Sequence, residues 1–509
     1  MQISSTEQTS KLSRWFQRER KEWFGNIIGD LWGGAVTTFA LLPEVIGFMI
    51  AAGIPPYMGL YTTICLTIVL SFVGGRPGLV SAGAGATAMI AAGLIAQYWD
   101  THPEYLFAAV ILAGIFQLIM GFCRVGNLVR FIPECVMHGF VNGLAIMIFI
   151  SQIKLCIQGS SVEMFILIAI GIGIIVGFPF LKKAVPALKR IPESFVAIVA
   201  ITAYTMISQS SVMTISDMGS ITASFDHVGQ VFSRISNVFT GECFLAILPT
   251  SLSIAFVGLI ETMLTARLVN EETKTTGNLN RECRGQGIGN IICGSLGAMP
   301  GCAMIAMTVT NLKAGGRGRL STFVAGGLMA ILLFTLSFFL GAIPLAALVA
   351  VMFVVCFHTF NWSSVFKAYQ VPIKETMTMA LTVGVVVATD NLAYGVGVGL
   401  FLTGMYYLAK RFLKPQFQIS LSFLFFAAAS ACAWFGWGTV AALVMASLGV
   451  GIASIARNEE PSTFLSAKGK TLATTALICC GVAVVGCAVL VATNSIWPGS
   501  PWFSLAMLP

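Results

Sequence analysis

The chain has 509 residues, of which 57% are hydrophobic and only 10% charged, with a formal net charge of +8 and a mean hydropathy of +0.87. Soluble domains carry about a quarter charged residues, so this balance excludes a soluble enzyme and requires a polytopic membrane protein. The positive charge would suit nucleic acid in a soluble protein, but here the basic residues lie scattered in the breaks between apolar runs, so no nucleic-acid partner is expected.

A helix needs about 20 apolar residues to cross the hydrocarbon core. Residues 1–29 contain no such run. They interleave Lys11, Arg14, Arg18, Arg20 and Lys21 with Trp15, Phe16, Trp23 and Phe24 and read as an uncleaved cytoplasmic amphipathic segment on the membrane surface. Seven apolar runs follow, near 30–53, 57–73, 80–98, 105–122, 133–153, 162–181 and 193–208. A Ser- and Thr-rich stretch, 209–243, then divides them from seven more, near 244–269, 285–297, 302–312, 320–341, 343–357, 375–389 and 391–409. Three further runs, near 417–436, 438–456 and 471–492, make up a hydrophobic C-terminal extension over 415–509.

With the N-terminus in the cytoplasm and the sides alternating, every Lys and Arg except Lys154 and Arg234 falls inside. That asymmetry supports both the count and the orientation, because basic residues are retained on the cytoplasmic side. The expected fold is therefore all-α, with two seven-helix repeats of opposite orientation, 30–208 and 244–414. The inverted repeat is the usual plan of secondary transporters. A trace of it is Ala88-Met89-Ile90-Ala91 recurring as Ala303-Met304-Ile305-Ala306, an offset of 215 at which Glu44 and Glu261 nearly coincide.

The third run opens with Ser81-Ala82-Gly83-Ala84-Gly85-Ala86-Thr87 and the tenth with Met299-Pro300-Gly301-Cys302-Ala303. Small-residue starts of this kind either allow close helix packing or begin a helix part-way through the membrane. In the second case, each end offers unpaired N–H groups and about half a positive charge, and two such ends can hold an anion without Lys or Arg. Glu44, beside Pro43, and Glu261, with Thr265 one turn later, are buried carboxylates that cost roughly 2.5–3.5 kcal/mol on insertion scales. Each is either a protonated helix staple or a functional group. A carboxylate that shares a pocket with an anion needs a proton or a metal cation to remove the repulsion. Asp390 with Asn391 is expected in an external turn, His138 packed on the fifth helix, and Arg267–Arg284 in a solvated cytoplasmic loop. The thirteen cysteines show no CxxC or His-spaced pattern, so no disulfide framework or cysteine metal site is expected.

Several stretches resemble the SulP family of anion permeases, which includes bicarbonate and sulfate permeases. They are Leu42-Pro43-Glu44-Val45-Ile46-Gly47-Phe48, Ala51–Pro56, Gly59-Leu60-Tyr61, Phe131-Ile132-Pro133 with Gly139-Phe140, Glu261–Thr265, Asn280-Arg281-Glu282, Gly285-Gln286-Gly287, Asn290, Thr308, Thr310, Asn311 and Gly315-Gly316. The resemblance covers about residues 25–415. It implies core and gate domains that move against one another, a homodimer in a bacterial inner membrane, and no cofactor other than a coupling ion. Substrate would lie between helices three and ten, among Glu44, Phe48, Ala84, Gly85, Ala86, Thr87, Gly301, Cys302, Ala303 and Met307. In sodium-coupled bicarbonate members the position of Glu261 is Asp. Carried over here, Glu261, Thr265 and the backbone near Ala303 and Met304 would hold the sodium, whereas proton-coupled members resemble this chain more closely in having Glu there.

Many relatives carry Arg at the position of Met307. Its lack here makes a co-bound cation more necessary. The family's usual cytoplasmic STAS domain is not recognisable, because 415–509 is mostly apolar. The expectation is thus a symporter of a small anion, bicarbonate first, with sulfate, dicarboxylate or halide transport or exchange as the alternative. A nucleobase permease should show polar base-reading side chains rather than Ala84 and Met307, and a non-transporting motor or receptor is the reading from another class.

Overall fold

The computed structural model describes residues 17, 19–99, 101–126, 133–158, 161–184, 191–218, 241–367, 371–389 and 392–412. The C-terminal extension, the Asp390-Asn391 turn, the middle of the 209–243 stretch and most of the N-terminal segment lie outside them. The first repeat comprises α1 (Ile27–Ala51), α2 (Pro56–Val73), α3 (Gly85–Tyr98), α4 (Glu104–Phe122), α5 (Glu134–Gln158), α6 (Val162–Ala184) and α7 (Glu193–Ser208). The second comprises α8 (Gly241–Thr273), α9 (Leu279–Ser295), α10 (Ile305–Lys313), α11 (Arg319–Gly341), α12 (Leu345–Thr359), α13 (Ile373–Thr389) and α14 (Leu392–Phe412). Each sequence-expected run over 30–409 thus carries one helix. Six of these helices are long and apolar enough by themselves to cross a membrane.

The described residues of 1–130 and 148–357 form one compact unit, and those of 131–147 and 358–509 form another. In the first, α3 and α10 are short for a clear reason. Each is preceded by an extended stretch, β1 (Ser81–Ala82) and β2 (Cys302–Ala303), and the two strands pair antiparallel with Ser81 opposite Ala303 and Ala82 opposite Cys302. Gly301 permits the crossing, because a Cβ there would meet the Ala82 carbonyl oxygen at 2.3 Å. The N-caps of the two half-helices, Ala84 and Met304, share one extended conformation (φ −97°, ψ 148° and φ −98°, ψ 125°). The structural repeat therefore registers with an offset of 220. The Ala-Met-Ile-Ala match at 215 is out of register: Ala88 lies inside α3, whereas Ala303 lies in β2.

Polar caps close the helix ends on the side of the N-terminal segment. Asp30, fully buried near the start of α1, accepts the backbone N–H groups of Arg317 (2.7 Å) and Gly318 (2.9 Å) just ahead of α11. Such acceptance satisfies donors that have no partner within their own helix. Arg319 is 2% exposed and donates to the carbonyls of Ser71 (2.9 Å) and Gly74 (3.0 Å) at the end of α2, and to Glu22 (2.8 Å). Glu22 belongs to a helical stretch, 19–24. Arg319→Met removes a buried charge, orphans two carbonyls and takes the guanidinium from Glu22, so a loss of about 3 kcal/mol or more is expected. Thermal unfolding of the purified protein checks it.

The Arg267–Arg284 stretch is a loop only over 274–278, although Glu271, Glu272 and Lys274 are exposed as its charges suggest. The end of α8 runs through 273, and Asn278 starts α9 by accepting the Arg281 N–H at 3.0 Å. Glu282 is 1% exposed and accepts the N–H groups of Gly75 (2.6 Å) and Arg76 (2.9 Å). Buried backbone donors after α2 supply the partner that periodicity could not reveal. His138 packs as expected on α5, its Nδ1 2.9 Å from the Asn361 amide nitrogen.

Candidate functional site

The crossing of β1 and β2 brings the N-termini of α3 and α10 together, and α1 and α8 supply the two carboxylates beside them. None of residues 81–87 or 300–308 is basic. What surrounds the crossing is a set of short-range hydrogen bonds that hold extended backbone inside a helical bundle, where unsatisfied peptide groups would be expensive. Asn290 of α9 takes both ends of Gly301: its Oδ1 accepts the Gly301 N–H (3.0 Å) and its Nδ2 donates to the Gly301 carbonyl (3.1 Å). Gln286 donates to the same carbonyl at 2.8 Å, and Gln117 of α4 accepts from Asn290 at 2.9 Å. Thr308 of α10 and Val80 mirror this on the other strand, the Val80 N–H reaching the Thr308 hydroxyl at 3.1 Å.

Glu261 lies against the tip of β2. Its Oε2 accepts from the Cys302 thiol at 2.9 Å. Two threonines of the same helix grip the neighbouring residue: the Ala303 N–H donates to the Thr262 hydroxyl at 3.2 Å, and the Thr265 hydroxyl lies 3.3 Å from the Ala303 carbonyl and 2.8 Å from the Glu261 carbonyl. Thus Glu261, Thr265 and Ala303, expected to share one role, are brought together. Met304 follows at once as the N-cap of α10 and donates its N–H to the Val80 carbonyl (2.9 Å). Met307 is buried in the first turn of α10.

On the α3 side, Ala84, Gly85 and Ala86 form the buried helix start. The Phe48 ring closes over Gly85, where an added Cβ would meet ring carbons at 2.9 Å. The Thr87 hydroxyl lies between the carbonyls of Ala84 (3.1 Å) and Pro300 (3.0 Å), so it ties the two half-helix entries together. Glu44 is 3% exposed and its Oε2 has no hydrogen-bond partner among the described residues. It interacts electrostatically with Glu261. All the sequence-expected site residues thus fall in one unit around one crossing.

Sequence reasoning gave no role to Gln117, Gln286, Asn290 or Thr308, which build the crossing. The signal was present, since amides inside membrane helices are costly unless paired, but the pairing partner was backbone and carries no sequence mark.

Comparison with known proteins decides the family. The family model described as "Sulfate permease family" matches residues 27–168 and 161–382. The chain belongs to this family. It is an anion permease and not an enzyme. YbaR of Bacillus subtilis (strain 168), named provisionally as a sulfate transporter, is 44% identical over 391 residues, covering 77% of this chain and 79% of that protein. The bicarbonate transporter BicA of Picosynechococcus sp. is 26% identical over 406 residues, covering 75% and 70%. Among solved structures, the transmembrane domain of a cyanobacterial BicA aligns with TM-score 0.63 at 24% identity over 72% of this chain and 96% of that one. SLC26A9 aligns with TM-score 0.65 at 16% identity over 79% and 68%. These likenesses show the seven-plus-seven transporter fold.

Proposed function

We propose that the chain carries a small inorganic oxyanion, bicarbonate, in symport with sodium, by an elevator-type alternation, as a homodimer in a bacterial cell membrane with its N-terminus in the cytoplasm. The observation that carries the reading is Glu261, an acidic side chain held by Cys302 at the junction of two half-helix N-termini that have no basic residue of their own.

The backbone ends supply the anion's partners: each contributes N–H donors and about half a positive charge, enough together for one negative charge. Two carboxylates close by oppose a second one. This charge balance favours a monovalent oxyanion over sulfate, the substrate for which several relatives are named. A cation beside Glu261 then relieves the remaining repulsion and makes anion and cation enter together. The donor set fits sodium. Its groups are all oxygens, the ligands a hard cation takes: the Glu261 carboxylate, and the Thr265 hydroxyl and Ala303 carbonyl, which without an ion hydrogen-bond each other at 3.3 Å.

One observation favours a proton as the coupled ion instead: Glu44 has a buried oxygen with no partner, as a protonated carboxyl awaiting an acceptor would. Uptake of labelled bicarbonate and labelled sulfate into proteoliposomes tests the choice. Bicarbonate uptake is expected to exceed sulfate uptake, to rise with external sodium at fixed pH and to lose its sodium dependence in Thr265→Val, which removes one oxygen at nearly constant size. Uptake that ignores sodium and follows an imposed pH gradient would replace sodium by the proton, and preferential sulfate uptake would overturn bicarbonate.

A further inference from the structure

A cavity lies among the described residues of the unit formed by 131–147 and 358–509. Its walls come from the first turn of α5, the first turns of α13 and the second half of α14. It encloses about 680 Å³ and is lined by Glu134, Lys374, Glu375, Thr378, Tyr406 and Tyr407 among others. A smaller adjoining cavity of about 200 Å³ shares Glu134 and Glu375 and adds Lys367 and His138. The larger volume is that of a small-molecule site.

Its chemistry is mixed in a particular way. Two carboxylates, Glu134 and Glu375, face the same space as two aromatic phenols, and carboxylates with aromatic faces are the groups that hold an alkylammonium. Lys374 borders the same cavity and Lys367 the adjoining one, and ammonium side chains hold phosphate as point charges. Glu134 is the first residue of α5 and Lys374 the second of α13, so two helix N-termini open here as well, a further preference for phosphate. Among the described residues, none of Glu134, Lys374 and Glu375 forms a salt bridge. Opposite charges that share a cavity without closing on one another leave both signs available to a ligand.

The position selects the source. The cavity lies at the ends of membrane helices, the depth at which tyrosines and lysines meet headgroups. Tyr406 is 5% exposed and Tyr407 62% exposed, so the lining runs from buried to exposed surface. We propose that this cavity binds the headgroup of a zwitterionic aminophospholipid, its ammonium against Glu134 and Glu375 and its phosphate against Lys374. Such a lipid links α5, α13 and α14.

The test uses the purified full-length chain in mild detergent and follows its melting temperature as lipids of equal acyl chains are added. Phosphatidylethanolamine is expected to stabilise it at concentrations at least about tenfold lower than phosphatidylglycerol or diacylglycerol. In Glu134→Gln/Glu375→Gln that preference is expected to disappear, and in Lys374→Met the half-maximal concentration should rise several-fold, with labelled-anion uptake unchanged in both. Equal stabilisation of the wild type by all three lipids, or a preference that survives the double substitution, overturns the proposal. Stabilisation by water-soluble glycerophosphoethanolamine at the same concentration as the lipid also overturns it, because the ligand would then be a free solute. The lipid comparison on the wild type needs no variant and stands even where a substituted protein fails to fold.

Discussion

Glu261→Gln is expected to abolish cation-coupled anion uptake, a loss of at least about a hundredfold, while the protein still inserts and folds. The amide keeps the shape of the side chain and can still meet the Cys302 thiol, which lies 2.9 Å from Oε2 in the wild type. It cannot balance a cation. Removing a charge from apolar surroundings relieves a cost rather than adding one, so stability should be unchanged or slightly higher. The pair of readouts matters: uptake in proteoliposomes and melting temperature in detergent, measured on the same preparation. Lost uptake with a lowered melting temperature would make Glu261 a structural staple. Lost uptake with an intact fold makes it the coupling group.

A smaller loss is expected for Gly85→Val, for a different reason. Gly85 is the first residue of α3, and a Cβ at this position would meet two Phe48 ring carbons at 2.9 Å, tighter than side-chain contacts tolerate. Valine adds two more carbons between the helix end and the ring, so either Phe48 leaves its place or the helix end retreats. Both outcomes close the space in which an anion reaches the N–H groups of α3. Uptake should fall at least about tenfold with the sodium concentration for half-maximal rate little changed, because Glu261 and Thr265 are untouched. Phe48→Ala in the same chain should restore part of the rate by vacating the ring. Full activity in Gly85→Val would move the anion site away from α3.

The helices were legible because hydropathy in membrane segments is a matter of composition and length, and fourteen runs over 30–409 became fourteen helices. The short α3 and α10 were also legible, since Gly83, Gly85, Pro300 and Gly301 interrupt otherwise apolar runs. The register of the repeat was not. Residue identities gave an offset of 215, whereas the N-caps Ala84 and Met304 set it at 220, because the repeat is preserved in backbone geometry and only faintly in side chains.

Charge misled at Glu282, which looked solvated in its run of Lys, Arg and Glu but is buried as the acceptor for Gly75 and Arg76. A carboxylate with backbone partners looks the same in sequence as one with water. The amides of Gln117, Gln286 and Asn290 failed to announce their role for the same reason: they serve the peptide groups of Gly301, and which peptide group needs a partner is decided by the crossing of β1 and β2. Glu44 and Glu261, by contrast, could be singled out because an acidic residue in an apolar run is improbable without a purpose.

If one negative charge and one cation share the crossing of α3 and α10, they cross the membrane together, and flux against a gradient measures that coupling. Wild-type protein in sealed liposomes, with labelled bicarbonate equal on both sides and sodium only outside, should accumulate label above the external concentration. That accumulation should collapse when a sodium ionophore is added. Label that only equilibrates, with or without the sodium gradient, would contradict coupled transport at this site.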